Sequence, residues 1–315
     1  MRVRFLQNRI AESALLLPVA AAASLLLQLA SGLPTTMEWA SLACYAITCY
    51  LMIELSNSNA LLRVRSRMVT STFIVLSAAT GCLSGTLSAA IAQLFMVITL
   101  LILFTTYQDQ ASTGRTFYAF AALGVSTLFF SPALFYVPVL WVMMATQLQS
   151  LSWRTWAASL IGLLTPYWLW TAWLLFQQDL SPLASHFSLF TFHFSPLASH
   201  FSLPTFHFPL NTFHFSLFIT LALAATGAVH FWTYSYEDKI RIRLLYGFFT
   251  TMTVCSTLLL VLMPHHYEPL VRLLLITASP LIAHFFTHTA SRLTNIVFIA
   301  TIIVAFALTI ATLFL

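Results

Sequence analysis

The chain has 315 residues, of which 60% are hydrophobic and only 7% are charged, with a formal net charge of +5 and a mean hydropathy of +0.90. So few charged side chains cannot cover a water-soluble protein of this length, which excludes the soluble globular class. In lipid, backbone polar groups must find partners within a helix or a closed barrel. The apolar runs are far longer than barrel strands and do not alternate with period two. We therefore predict one all-α integral membrane domain, a polytopic transmembrane helix bundle.

Eleven apolar runs are predicted as spans. They cover residues 13–32, 39–54, 69–85, 88–106, 116–130, 133–148, 155–177, 214–234, 244–263, 270–286 and 293–314. The runs at 116–130 and 133–148 are short for a hydrocarbon core of about 30 Å, so a re-entrant hairpin stays open as an alternative to two spans. The first run follows a basic start, which leaves a cleaved signal peptide ending near Ala30 as the alternative to an uncleaved helix.

The basic residues follow a strict pattern relative to these runs. Twelve of the thirteen lie in every second connector, namely Arg2, Arg4, Arg9, Arg63, Arg65, Arg67, Arg115, Arg154, Lys239, Arg241, Arg243 and Arg292. The intervening connectors contain no Lys or Arg. Because basic residues concentrate on cytoplasmic loops, this alternation predicts a cytoplasmic N-terminus and a C-terminus on the opposite side.

A tandem repeat fills most of the predicted external loop at 178–213. Residues 181–194 and 195–208 differ at a single position, Phe190 against Pro204. Five histidines recur at intervals of seven, each followed by Phe: His186, His193, His200, His207 and His214. One interpretation is an array that binds Zn²⁺ or Cu²⁺, or that responds to pH near the imidazole pKa of about 6.5. The other, favoured by the prolines that interrupt a long helix, is a duplicated Phe-rich loop at the membrane interface.

Ionisable residues at the rims of the spans are candidate functional residues, because such groups are costly in hydrocarbon and often mark pathways. The external candidates are Glu38, Asp179, His265, His266, Glu268 and Arg272. Glu268 and Arg272 are four residues apart and are predicted to pair, with Arg272 also reaching towards lipid headgroups. We interpret the densest group, at 265–272, as a capping and anchoring cluster, with a substrate site as the alternative.

Three histidines are the remaining candidates. His284 and His288 are four residues apart, which places both imidazoles on one helix face as metal ligands require, but no carboxylate or cysteine accompanies them in the sequence. They are predicted to be interfacial rather than metal-binding. His230 is predicted to hydrogen-bond a neighbouring helix, with proton transfer as the alternative. The four cysteines lie in apolar runs without ligand spacing, so neither a metal site nor a disulfide framework is predicted.

Five stretches outside the repeat carry a family resemblance. They are LSNSNALLRVRSRMVTSTF at 55–73, SPALFYVPVLWVMM and SWRTWAASLIGLLTPY within 131–167, and the C-terminal YEDKIRIRLLYGF and ITASPLIAHFFTHTASRLTNIVF. Together they resemble an uncharacterised family of multi-pass inner-membrane proteins of Gram-negative bacteria. The resemblance implies an integral inner-membrane protein of a Gram-negative envelope, in which the C-terminus predicted from the basic connectors would be periplasmic, and it assigns no catalytic residue.

Three functions fit this sequence. Pro138, Pro166 and Pro280 lie within predicted spans and favour a transporter or flippase for a lipid-linked or amphiphilic envelope precursor, because interrupted helices line many transporter sites. A polyprenyl-phosphate glycosyltransferase would use an external carboxylate as base and Arg272 to hold the phosphate. A non-catalytic subunit would bind other envelope proteins and need no site. We expect bilayer lipid as the main partner, and neither a cofactor nor nucleic acid, because the corresponding motifs are absent.

Overall fold

A computed structural model describes most of the chain. The described residues are 6–13, 15–30, 34–62, 66–83, 85–179, 181–188, 212–234, 236, 238–289 and 291–314. Within these ranges every regular element is helical. Seven helices there are long and apolar enough to cross a membrane: Thr36–Ser58, Leu87–Phe104, Trp153–Phe176, Phe215–Tyr234, Ile240–Leu262, Pro264–His288 and Arg292–Ala311. Leu16–Ala30, Met68–Ala79 and Ser131–Thr146 are shorter apolar helices. The predicted all-α class is confirmed for the described residues, and the apolar helices fit a multi-pass protein in contact with lipid.

The described residues form thirteen α-helices. They are α1 (Leu6–Ala11), α2 (Leu16–Ala30), α3 (Thr36–Ser58), α4 (Met68–Ala79), α5 (Leu87–Phe104), α6 (Thr113–Phe129), α7 (Tyr136–Thr146), α8 (Trp153–Phe176), α9 (Ser181–Ser188), α10 (Thr212–Tyr234), α11 (Ile240–Leu262), α12 (Tyr267–His288) and α13 (Arg292–Phe314). Short 3₁₀ segments precede α7 and α12.

Each of the eleven predicted runs overlaps one of these helices, while α1 and α9 are additional. α8 and α12 continue through Pro166 and Pro280, so neither helix is interrupted there.

The repeat contributes α9, which the sequence did not predict. Pro182 lies in its first turn, where the missing N–H group would have no helical partner in any case. His186 in α9 lies 3.2 Å from the Thr127 carbonyl oxygen at the end of α6. The remainder of the repeat, with His193, His200 and His207, lies outside the described residues, so the predicted histidine array stays a prediction.

The basic connectors meet at one end of the bundle. Gln7 of α1 donates a hydrogen bond to Thr294 of α13 (3.2 Å). Arg241 of α11 donates to Asn59 after α3 (3.0 Å) and lies over the ring of Tyr107, 5.5 Å from its centroid. We call this the basic end; the described basic residues on its connectors are Arg9, Arg67, Arg115, Arg154, Lys239, Arg241, Arg243 and Arg292.

Residues 113–146 form a hairpin that extends between the two ends of the bundle. α6 leads to Phe130, whose ring lies 5.7 Å from that of His266 at the end opposite the basic end. The chain then returns through α7 to Leu148, whose carbonyl accepts a hydrogen bond from the Gln108 N–H (2.8 Å) beside the start of α6.

α12 is the central helix. It packs against α4, α5, α10 and α11. Within its apolar 18-residue stretch 89% of the residues are buried, a larger share than in any of the other six long apolar helices. Polar side chains on α12 therefore face other helices instead of lipid, and two polar clusters lie along this helix, one near each end.

Candidate functional site

Arg272 lies near the start of α12 with its side chain fully buried. Its Nε–H donates to Glu268 Oε1 (3.1 Å) and its Nη1–H donates to Gln93 Oε1 on α5 (3.2 Å). The Gln93 side chain donates in return to the Arg272 carbonyl oxygen (3.2 Å). The predicted pair with Glu268 is confirmed. The prediction that Arg272 extends to the protein surface to meet bulk lipid headgroups is wrong, because its guanidinium is fully buried against α5.

Glu268 links this arginine to the connector before α5. The Thr86 N–H donates to Glu268 Oε1 (2.8 Å), and the Thr86 hydroxyl lies 3.3 Å from Oε2. The neighbouring residue is Gly85, where an added Cβ would overlap Glu268 Oε1 and lie 2.5 Å from Arg272 Nη2. Glycine at this position therefore lets the ion pair pack directly against the backbone of the connector.

One guanidinium nitrogen has unused hydrogen-bonding capacity. Arg272 Nη2 is buried and has no hydrogen-bond partner among the described residues. A buried donor without an acceptor costs about 1–3 kcal/mol, and more when it carries charge. The nitrogen beside Gly85 therefore suits an acceptor from outside the chain, such as an anionic oxygen or water.

An apolar groove of about 360 Å³ opens between α2 and α3. Both helices pack on α4, which closes the back of the groove. It is lined by Leu17, Ala21, Ser24, Leu25, Gln28, Leu42, Tyr45, Ala46, Cys49, Tyr50, Ile53, Ile74 and Leu83. This volume lies within the range of small-ligand sites, and the mainly apolar lining suits a hydrocarbon chain.

The connector between α4 and α5 brings the groove and the buried arginine together. Leu83 lines the groove, and Gly85, two residues later, lies against Arg272 Nη2. Tyr45 of α3 also lines the groove. An apolar groove beside a buried cation can hold the chain and the anionic head of one amphiphile.

The other two external carboxylates have local roles at helix starts. Thr35 and Glu38 form a reciprocal capping box at the start of α3, with the Thr35 N–H donating to Glu38 Oε2 (2.7 Å). Asp179 accepts a hydrogen bond from the Ser181 N–H before α9 (2.9 Å). Hydrogen bonds from the Ser181 side chain and backbone lower the pKa of the Asp179 carboxyl. Neither contact requires a substrate.

The two external histidines differ in environment. His265 is exposed, whereas His266 is half-buried against Phe130. Of the six external candidates, the structure brings Glu268 and Arg272 into one polar network and gives the other four separate surroundings. Gln93 of α5 completes that network and was not predicted from the sequence. Its position could have been noticed, because it is an amide side chain within the most apolar of the seven long helices.

A second polar cluster lies at the basic end of α12. His284 Nε2 lies 3.2 Å from Asp238 Oδ2, and both side chains are only 3% exposed. The His284 and His288 rings stack with centroids 4.2 Å apart. The prediction that His284 is interfacial is wrong, because the central position of α12 buries it. The fold also supplies the carboxylate that the neighbouring sequence lacks: Asp238, from the connector between α10 and α11, 46 residues away.

His230 of α10 packs beside this cluster. Its ring centroid lies 4.8 Å from that of Tyr234 and 6.0 Å from that of His284. Its Nδ1 is buried without a hydrogen-bond partner among the described residues. The hydrogen bond predicted for His230 is therefore not made by this nitrogen.

Comparison with family models, with curated proteins and with solved structures finds no match for this chain.

Proposed function

We propose that the chain is a multi-pass protein of the bacterial inner membrane that binds an anionic amphiphile, in the class of lipid-linked envelope precursors, and moves it across the bilayer. The observation that carries this proposal is the buried Arg272 guanidinium, with Nη2 lacking a partner among the described residues, beside an apolar groove. Hydrocarbon would occupy the groove between α2 and α3. The headgroup oxygen would accept from Nη2 beside Gly85.

The proposed topology has eleven spans, with the basic end in the cytoplasm. This topology is supported by the connectors that carry the described Lys and Arg residues, because they lie together at one end of the bundle, as the positive-inside rule requires. Gly85 and Thr86, in the connector before α5, and Glu268, in the first turn of α12, lie at the opposite end. The headgroup site would then face the periplasmic leaflet, where a translocated precursor is released or collected.

A charged headgroup is favoured over a neutral one for an electrostatic reason. Arg272 is fully buried, and Glu268, its counter-ion, is shared with Thr86 through two further contacts. A phosphate or carboxylate oxygen at Nη2 would form a charge-assisted hydrogen bond, which contributes about 1.5–3 kcal/mol. A transferase at this site would require a carboxylate free to act as base, whereas Glu268 is already engaged by Arg272 and Thr86.

Lipid movement in proteoliposomes tests the proposal. Fluorescently labelled phosphatidate and phosphatidylcholine are each reconstituted with the protein, and dithionite quenching reports exchange between leaflets. We expect wild-type protein to accelerate phosphatidate exchange more than phosphatidylcholine exchange. Arg272→Met should reduce the phosphatidate rate at least about tenfold, which corresponds to the loss of one charge-assisted hydrogen bond.

Arg154→Met is the matched control, because Arg154 is exposed at the start of α8 at the basic end. It should leave the phosphatidate rate unchanged. Arg272→Lys keeps the buried charge and should retain part of the activity, which separates loss of the anion site from loss of folding. Equal rates for wild type and Arg272→Met, or no acceleration by wild-type protein, would contradict the proposed function.

A further inference from the structure

The cluster at the basic end of α12 has the composition of a metal site. Asp238, His284 and His288 each offer one ligand atom, and these atoms all lie within 4.8 Å of one another. Neighbouring ligands on a tetrahedral Zn²⁺ are roughly 3.4 Å apart, given metal–ligand bonds of about 2.0–2.1 Å. The separation of 3.2 Å between His284 Nε2 and Asp238 Oδ2 is already close to this spacing. The longer separations, none above 4.8 Å, would have to shorten by about 1.4 Å at most, which side-chain adjustment can supply.

The helix positions the two imidazoles in advance. A spacing of four residues puts His284 and His288 on the same face of α12, and their rings are within 19° of parallel. His288 Nδ1 lies 3.2 Å from the His284 carbonyl oxygen. When Nδ1–H donates to that carbonyl, Nε2 presents its lone pair, which is the tautomer that metal ligation requires.

Burial and unused ring nitrogens give independent support. Asp238 and His284 are almost completely excluded from solvent, so a bound ion would lose little affinity to competing water. His284 Nδ1 and His230 Nδ1 are both buried without a hydrogen-bond partner among the described residues. The His230 ring lies close enough to His284, at 6.0 Å between centroids, for a side-chain rotation to bring it towards the same ion.

We propose that Asp238, His284 and His288 bind a divalent first-row transition metal ion, with Zn²⁺ as the simplest occupant and with a fourth position open to water or to His230. Two histidines and one carboxylate form the ligand set of open Zn²⁺ and Fe²⁺ sites. The ion would join the connector before α11 to the end of α12. The site lies at the basic end, which the proposed topology places on the cytoplasmic side. The metal proposal does not depend on lipid binding.

Metal content of the purified protein tests this proposal. The protein is prepared in detergent without a histidine tag, in a background where the repeat histidines are replaced by Asn, so that the repeat cannot contribute. The replaced residues are His186, His193, His200, His207 and His214. After exposure to Zn²⁺ and removal of free metal, elemental analysis should find about one equivalent per chain. Co²⁺ in place of Zn²⁺ should give the visible absorption of a site with mixed nitrogen and oxygen ligands.

Asp238→Asn and His288→Asn should each lower Zn²⁺ affinity at least about tenfold. His288 is less buried than His284, so its variant carries the smaller folding risk, and unchanged gel-filtration elution should accompany the loss. His265→Asn makes the same substitution at an exposed histidine and should retain the metal. Absence of bound Zn²⁺ in the starting protein, or equal retention by Asp238→Asn and His288→Asn, would overturn the site.

Discussion

Glu268→Gln is expected to lower the melting temperature of the detergent-solubilised protein by several degrees Celsius. The substitution keeps the size of the side chain but removes the negative charge beside the fully buried Arg272. Leaving a buried charge without its counter-ion costs about 3–5 kcal/mol, and the 31% exposure of Glu268 puts the expected loss near the lower end of that range. Thermal unfolding followed by circular dichroism or by thiol-reactive fluorescence measures the change.

A double substitution makes this test specific for charge. Arg272→Met removes the cation that Glu268→Gln leaves unpaired, so the double variant should melt at a higher temperature than Glu268→Gln alone. Glu38→Gln is the matched control, because glutamine at that position can still accept in the capping box. A double variant no more stable than Glu268→Gln would show that the charge of Arg272 is not the source of the loss.

Gly162→Leu is expected to separate α6 from α8. It should reduce the amount of folded protein more than Glu268→Gln does. An added Cβ at Gly162 would overlap the Phe117 carbonyl oxygen and lie 3.2 Å from the Ala121 nitrogen, both on the α6 backbone. From the other side, a Cβ at Gly124 would lie 2.6 Å from the Leu163 carbonyl oxygen. Backbone atoms cannot rotate away as side-chain ends can, so the two helices must move apart.

Gly162→Ala should give a graded effect of about 1–3 kcal/mol, the usual cost of overpacking, and remains measurable if the leucine variant does not fold. Gly114→Leu is the control, because a Cβ at Gly114 meets nothing within 4 Å. Fluorescence-detected gel filtration should show the monodisperse peak lost for Gly162→Leu and kept for Gly114→Leu. Equal peaks for the two leucine variants would contradict close backbone packing between α6 and α8.

The positions of the helices could be predicted from the sequence, because lipid imposes long apolar runs and the basic connectors mark one side. Which side of each helix faces the interior of the bundle could not be predicted from the sequence. Arg272 lies in the first turn of the predicted apolar run 270–286. From that position its side chain could contact either lipid headgroups or a neighbouring helix. The packing of α12 against α5 decided between them, through a contact with Gln93, 179 residues away.

The histidine pair shows the same limit. A spacing of four residues correctly places the His284 and His288 rings together. The carboxylate beside them could not be predicted, because Asp238 lies in a connector that reaches α12 only after α10, α11 and α12 have packed. Local patterns thus indicate which residues share a helix face, whereas a site assembled from several helices needs the tertiary fold.

Native mass spectrometry most directly tests the central claim, that an anionic amphiphile is held at Arg272 beside Gly85. Protein released from a mild detergent is titrated with phosphatidate or with phosphatidylcholine of equal chain length. We expect wild-type protein and Gly114→Ala to retain phosphatidate in preference to phosphatidylcholine, and Gly85→Ala to lose that preference, because its Cβ would overlap Glu268 Oε1 and displace the ion pair that positions Nη2. Equal retention of both lipids by the wild type, or an unchanged preference in Gly85→Ala, would contradict the account.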